Sequence, residues 1–259
     1  MTSTFTDYQL IAQNLPKSLD KKASEKAISR EIQYFRENIG KVRTVDDLIG
    51  NRRLYTFAMK AYGLDDMIYA KAFMKKVLTR EPDSKGNILV TRLQDSRYQD
   101  LAKAFNFGNS GADFKSDPSA YDDTIKSYVR QNLETSVGDD DEGARLALYF
   151  QRKAGTIKSA YSILADKALA QVVRTALGLS DDAARGSVDA QANLIKRRLD
   201  VADFQDPDKL NKFLKRFSIM WDIQNNTPTA PALALFGGSD TGLSSDLLMK
   251  LQSIRLGSR

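Results

Sequence analysis

The densest candidate for divalent-cation chemistry in the sequence is the acidic run Asp139-Asp140-Asp141-Glu142, followed by Gly143. A calcium-binding EF-hand loop needs Gly at its sixth position for a sharp turn and a bidentate Glu at its twelfth. Counted from Asp139, those places hold Ala144 and Phe150, so the pattern fails. The acids read instead as a helix start, where carboxylates meet the positive end of the helix dipole. Gly108-Asn-Ser-Gly111 has neither the Gly-x-Ser-x-Gly of a nucleophile elbow nor the Gly-Lys-Ser/Thr ending of a phosphate loop, and reads as a loop. Glu31, Glu37, Asp46 and Asp47 offer carboxylates for glycosidase-type chemistry, yet each also has a helix-surface or capping reading. Lys75-Lys76 and Lys196-Arg197-Arg198 offer cations to a nucleic-acid backbone. Elsewhere basic residues alternate with acids, as on solvated helix faces.

Composition narrows the chemistry further. The 259 residues contain no His and no Cys. The commonest general base, the commonest metal ligand, thiolate nucleophiles and disulfides are thereby removed. The chain is expected to be a non-enzyme without cofactor or metal. Its net charge of +6 fits nucleic acid, acidic lipid or simple solubility, and nucleic acid is disfavoured for want of a recognition motif around the basic runs. No apolar run approaches the roughly 20 residues of a membrane span. The start, MTSTFTDYQL, lacks a basic stretch followed by an apolar one. The expectation is a soluble, cytosol-made protein, cytoplasmic or exported without a cleavable signal.

What must position the remaining side chains is a repeat. VRTVDDLIGNRRLYTFAMKAYGLDD, starting at Val42, aligns without a gap on IKSAYSILADKALAQVVRTALGLSD, starting at Ile157. Tyr34-Phe35 falls on Tyr149-Phe150, and Gly63-Leu64 on Gly178-Leu179. After a register slip, Phe73 to Leu78 resembles Leu194 to Leu199, and upstream Gln13-Asn14-Leu15 echoes Gln131-Asn132-Leu133. Such internal similarity marks repeated supersecondary units. Thr44 with Asp47 forms a capping-box pattern, and Ser159 occupies the matching place. Gly63 and Gly178 read as C′ glycines in the left-handed region, each followed by the Leu that folds back on the last turn. Asp206-Pro207 is an N-cap with Pro at the first helical position. All six positions, Thr44, Asp47, Ser159, Gly63, Gly178 and Pro207, are assigned to structure.

Apolar spacing near 3.6 dominates the chain. Leu54, Phe57, Ala58, Ala61 and Tyr62 form one stripe, and Leu210, Phe213, Leu214, Phe217, Met220 and Trp221 another. Only 87–91 (NILVT) hints at a strand, too short for a sheet. The fold class is all-α: two tandem helical repeats in an elongated or compact multi-helix bundle, with a C-terminal linker and a short terminal helix. The expected organisation is a first repeat at 1–107, a linker at 108–120, a second repeat at 121–223, an extended linker at 224–244 and an amphipathic helix at 245–259. The last helix places Leu247, Leu248, Leu251 and Ile254 on one side, for docking on its own body or in a partner's groove.

TVDDLIGNRRLYTFAMKAYGLDD, KAFMKKVL and TRLQDSRYQDLAKAFNFG, with EGARLALYFQRKAGTIKSAYSILADKALAQVVRTALGL and DPDKLNKFLKRF downstream, resemble an uncharacterised all-helical domain-of-unknown-function family of alphaproteobacteria. The resemblance runs from Thr6 to Trp221. Members are often encoded among flagellar genes, which implies a flagellar role, and the family brings no established catalytic or binding residues. MTSTFTDYQLIAQNLPKSLD lacks the Asn-rich start typical of rod and hook proteins, which turns the implied role toward an accessory, adaptor or chaperone-like protein. The expected function is a non-enzymatic interaction or assembly factor whose partner is a protein, such as a flagellar component. The alternatives are a basic helical nucleic-acid-binding regulator and a carboxylate-dependent hydrolase of cell-wall glycan.

Overall fold

The computed structural model describes residues 3–80, 82, 84–93, 95–107 and 117–225, and the fold is all-α. In chain order the helices are α1 (Thr4–Gln13), α2 (Leu15–Ser24), α3 (Lys26–Ile39), α4 (Val45–Gly50), α5 (Arg52–Ala61), α6 (Lys71–Thr79), α7 (Leu89–Arg92) and α8 (Ser96–Phe105), then α9 (Asp122–Asp140), α10 (Glu142–Lys153), α11 (Ala160–Leu164), α12 (Lys167–Leu177), α13 (Asp181–Arg185), α14 (Val188–Arg198) and α15 (Pro207–Gln224). Extended pairing among the described residues is limited to one antiparallel bridge between Pro82 and Ile88. The candidate strand at 87–91 is therefore a bridge residue running into α7. Residues 108–116 of the expected linker, and everything after Asn225, lie outside the described residues. That includes the terminal helix with Leu247, Leu248, Leu251 and Ile254.

Two compact units make up the chain: one is Leu15–Thr135, the other joins the chain up to Asn14 to the chain from Ser136 onward. The division differs from the expected boundaries near 107 and 121 in where the leading helices go. Chain adjacency suggests that α1 packs with α2 and α3. Instead α1 ends at Gln13, since Pro16 has no N–H with which to continue its hydrogen-bond ladder, and it packs on α10 and α15. Tyr8 and Thr4 are its buried residues. The first part of α9 conversely belongs with the unit that begins at Leu15.

In the unit Leu15–Thr135 the core is aromatic. Phe57 stacks on Phe35 (centroids 4.2 Å) and on Tyr128 of α9 (3.9 Å). Tyr121 meets Phe35 edge-on at 6.0 Å and lies 5.5 Å from Phe105. Leu48, Leu54, Met59, Leu64 and Met74 fill the rest of this core. In the other unit Phe150, Phe204 and Phe213 form a triangle with centroids 4.9–5.1 Å apart. Ile163, Val172, Val173 and Ala176 pack around it, with Tyr8 of α1 in the same cluster.

Local geometry recurs at the offset of 115 that carries Val42 onto Ile157. The Thr44 hydroxyl accepts from the Asp47 N–H at 3.1 Å, and the Asp47 carboxylate accepts from the Thr44 N–H at 2.8 Å. Both halves of the capping box are thus made, each satisfying a donor that the helix leaves orphaned. The backbone N–H groups of Arg43 and Thr44, then the Thr44 hydroxyl, hold the Asp47 carboxyl below its usual range. Ser159 caps α11 by accepting from the Ser162 N–H at 3.2 Å, and the Ser162 hydroxyl stands 3.1 Å from the Ser159 hydroxyl in place of the box acid. Gly63 (φ 67°) and Gly178 (φ 61°) are left-handed. The following N–H groups close the same long turn, Leu64 onto the Met59 carbonyl and Leu179 onto the Arg174 carbonyl, both at 2.9 Å. These are the six-to-one bonds of a Schellman end. Asp206 caps α15 by accepting from the N–H groups of Asp208 (2.9 Å) and Lys209 (3.1 Å), with Pro207 at the helix start.

Tyr55 carries a different signature. Its side chain is 1% exposed, and its hydroxyl has no hydrogen-bond partner. Burial pushes its pKa up to about 12 from 10.0. A buried donor left unmade costs about 1–3 kcal/mol, so deleting it while keeping the ring is favourable. Tyr55→Phe is expected to stabilise by about 1 kcal/mol and to raise Tm by about 2–4 °C, read by thermal denaturation. Because the folded pKa is raised, the folded state holds this proton longer than the unfolded one. Stability from it is fully present below pH 10 and is lost as pH rises toward about 12, by linkage. Tyr55→Phe is expected to flatten that alkaline decline.

Candidate interaction surfaces

Charged side chains singled out in the sequence are placed one by one by the helices that carry them. The Glu31 carboxylate of α3 accepts from Arg53 Nε of α5 at 2.8 Å, and the same guanidinium lies 4.0 Å over the Tyr34 ring. Glu37 accepts from Gln33 one turn earlier at 2.8 Å. Asp46 pairs with Lys75 at 2.7 Å, and Asp47 is spent in the capping box. These four carboxylates thus have four separate partners and do not converge. Lys196 sits 4.9 Å over the Tyr161 ring. The Tyr161 hydroxyl donates to Asp189 at 2.8 Å, and that carboxylate raises the Tyr161 pKa. Arg198 donates to the Leu177 carbonyl at 3.3 Å, near the end of α12. The matched basic runs therefore contribute three of their five side chains to internal contacts.

The acidic run serves helix boundaries. α9 continues through Asp140, and Asp141 then caps α10 by accepting from the Ala144 N–H at 2.9 Å. Glu142 pairs with Arg145 one turn on. No group of three His, Cys, Asp or Glu residues able to hold a metal ion occurs among the described residues. No helix among them is long and apolar enough to cross a membrane.

Grooves open to a partner occur among the described residues. One of about 590 Å³ lies between α6 and α7, floored by Phe73 and Leu89, with Lys76 and Arg92 at its sides. A second, of about 480 Å³, follows α5 beside α9. Arg52, Thr56 and Lys60 recur there at one-turn spacing, which places them in one row on a helix, above Phe57 and Tyr128. The third, of about 490 Å³, lies between α12 and α15 and is polar, with Gln171, Arg174 and Gln224 around Trp221. Arg52, Lys60, Lys76 and Arg92 form no ion pair among the described residues. Basic residues that line grooves and keep their charge available are the chemistry on offer.

Sequence reasoning missed two features. Asn51 and Asp166, again 115 apart, cap α5 and α12 and also take the hydroxyls of Tyr34 and Tyr149. Their Asx–x–x–Leu pattern ahead of an apolar stripe was the available signal. The other is the seat of α1. Thr4 donates to Asp141 at 2.9 Å and also hydrogen-bonds Asp222, which is buried, with Asp7 and Asp141 near it.

Burial first, then the Asp141 and Asp7 charges, raises the pKa of Asp222 against the lowering effect of Thr4. A raised carboxyl pKa favours folding below the ordinary value of 3.8, and that contribution is lost as pH rises through the folded-state pKa. At neutral pH the Asp222 charge therefore works against its seat. Asp222→Asn is expected to raise Tm at neutral pH by about 2–4 °C, a gain that is lost as pH falls through the raised Asp222 pKa, as measured by calorimetry down an acidic pH series.

A family model described as a protein of unknown function (DUF1217) matches residues 61–210. The X-ray crystal structure of a protein from Agrobacterium tumefaciens, solved by a structural genomics consortium, superimposes with a TM-score of 0.75 at 45% sequence identity. The match covers 86% of this chain and 94% of that one. No curated protein matches the sequence.

Proposed function

Since the chain belongs to the DUF1217 family of proteins of unknown function, we propose that it is a non-enzymatic interaction or assembly factor that holds a protein partner in the grooves of its helical surface. The observation that carries this reading is the row Arg52, Thr56 and Lys60 beside the Phe57–Tyr128 stack. An apolar floor with charge at the rim is the usual anatomy of a protein–protein site, and the charge selects an acidic segment. The sequence resemblance to a helical family of alphaproteobacteria, often encoded with flagellar genes, supports a flagellar component as that partner. It also supports action in the cytoplasm or at the flagellar apparatus after signal-independent export.

Deleting the gene and scoring swimming tests the reading, together with capture of partners from motile cells. The expected result is reduced swimming and recovery of a flagellar component, with capture weakened at least about tenfold by Arg52→Glu/Lys60→Glu, since opposed rim charges cost several kcal/mol. Normal swimming of the deletion strain, with no flagellar component captured, would overturn it. The two alternatives gain nothing specific: Lys75, Lys196 and Arg198 are engaged within the protein, and Glu31, Glu37, Asp46 and Asp47 face separate partners.

A further inference from the structure

The groove between α12 and α15 is the polar counterpart of the one beside α5. The offset of 115 carries Thr56 and Lys60, which line the α5 groove, onto Gln171 and Thr175, which line this one. The same face of the repeated helix is therefore open in both units, with a cation in one and a hydroxyl in the other. Around Trp221 stand Gln171, Arg174 and Gln224, whose side chains make no hydrogen bond among the described residues. Arg174 is the one charged residue of that lining. One aromatic ring with amide and guanidinium donors beside it is a lining for uncharged chain with free backbone carbonyls.

We infer that the chain's own segment 226–236 fills this groove, turning back from the end of α15 and lying extended over Trp221. Asn225 caps α15 and also lines the groove, so the chain leaves the helix at the groove's mouth and runs on to Arg259. Trp221 lies one turn before Asn225, about 6 Å along the axis, and six residues of extended chain advance about 19 Å. The segment therefore has the reach to turn and cross the ring. Its composition fits the lining. NTPTAPALALF carries no charge, so a groove of amides and hydroxyls takes it without burying an unpaired ion. Pro228 and Pro231 stand three apart, the repeat of a polyproline II helix, which has no internal hydrogen bonds and leaves its carbonyls to outside donors. Gln171, Arg174 and Gln224 supply those donors, and aromatic-lined grooves favour such segments because they are already ordered. A short tether also holds the segment at an effective concentration on the order of millimolar, which disfavours a free competitor of the same chemistry. This groove is not the one beside α5, so the inference stands or falls apart from the protein partner.

Trp221 is the single tryptophan and cysteine is absent, so the full chain carries its own reporter and accepts a label at one chosen place. A nitroxide is attached in turn to Thr229→Cys, Ala232→Cys, Leu235→Cys and Ser244→Cys, and quenching of Trp221 emission is measured. The expected result is a maximum at one or two positions within 229–235, severalfold above Ser244→Cys. Gln171→Glu, which puts a carboxylate where a carbonyl needs a donor and lies far from the label in sequence, should abolish that maximum while thermal denaturation shows the fold intact. Quenching that falls smoothly with distance from Asn225 and ignores Gln171→Glu is the behaviour of an undocked chain and would overturn the inference. A maximum that vanishes on dilution would overturn it too, because the segment of a second copy would then fill the groove. An unlabelled readout is quenching by acrylamide, to which Trp221 should become severalfold more accessible in Pro228→Gly/Pro231→Gly. Unchanged accessibility there would equally refute docking.

Discussion

Phe57→Ala is expected to destabilise the unit Leu15–Thr135 by about 3–5 kcal/mol, the usual loss for a buried Phe cut to Ala. The ring is 3% exposed and lies between Phe35 and Tyr128, with interplanar angles of 19° and 17°. Its removal takes away the burial of one large side chain and both stacking contacts, and leaves a cavity flanked by two planar rings that cannot close on each other without moving α3 or α9. Val172 occupies the matching position on α12 and is fully buried, but it is aliphatic and smaller. Val172→Ala should therefore cost only about 1–2.5 kcal/mol, from the lost methyl burial and a smaller cavity. Urea denaturation of the two variants, followed by near-ultraviolet circular dichroism, measures the difference. Equal losses would show that the aromatic stack adds nothing beyond its volume. Since the stack is built with Tyr128, the Phe57 variant should also loosen the hold on α9, visible as faster hydrogen exchange in 122–135.

The helical class and the start of several helices were legible because they rest on local chemistry. Thr44 with Asp47 and Asp206-Pro207 mark where α4 and α15 begin, and a capping side chain acts within its own turn. Gly63 and Gly178 were legible for the same reason, since a positive φ is a property of one residue and its neighbours. The seat of α1 was not. Tyr8, Phe5 and Ile11 show only that the helix has an apolar side. Which groove takes that side depends on contacts with residues more than 130 positions away, such as Thr4 with Asp141, and no spacing within 1–14 encodes them. The acidic run shows the same limit in reverse. Four acids in a row read as one helix start, yet α9 runs through Asp140 and only Asp141 caps. The partner of each carboxylate decides its role, and partners are set by packing. Arg52 and Lys60 were visible as charges on a helix. Their place beside an open groove follows from where Phe57 and Tyr128 meet, which the linear order of residues does not carry.

Glu134 gives the second large effect. On α9 the Arg130 guanidinium donates through Nε to Glu134 at 2.7 Å, with the two side chains 9% and 1% exposed. On a solvated helix such a pair is worth a few tenths of a kcal/mol; here both charges have left water. Breaking a buried pair from one side takes from the other charge this part of its compensation, and the cost is about 3–5 kcal/mol. Glu134→Ala is therefore expected to lower stability by that amount, whereas Arg130→Met/Glu134→Leu should recover most of the loss, because it removes both desolvation penalties and adds apolar burial. The double-mutant cycle in urea measures the coupling directly. Salt separates this pair from the surface pairs. The Lys126–Asp123 pair, 78% and 95% exposed, is screened within a Debye length of about 8 Å at physiological ionic strength, while the buried pair has little solvent around it to carry counterions. The Glu134→Ala penalty should therefore hardly change when salt is raised to about 1 M, at a Debye length of about 3 Å. A penalty that shrinks with salt would mean that water reaches the guanidinium, and that this stretch of α9 is less closely packed than the burial of Arg130 and Glu134 requires.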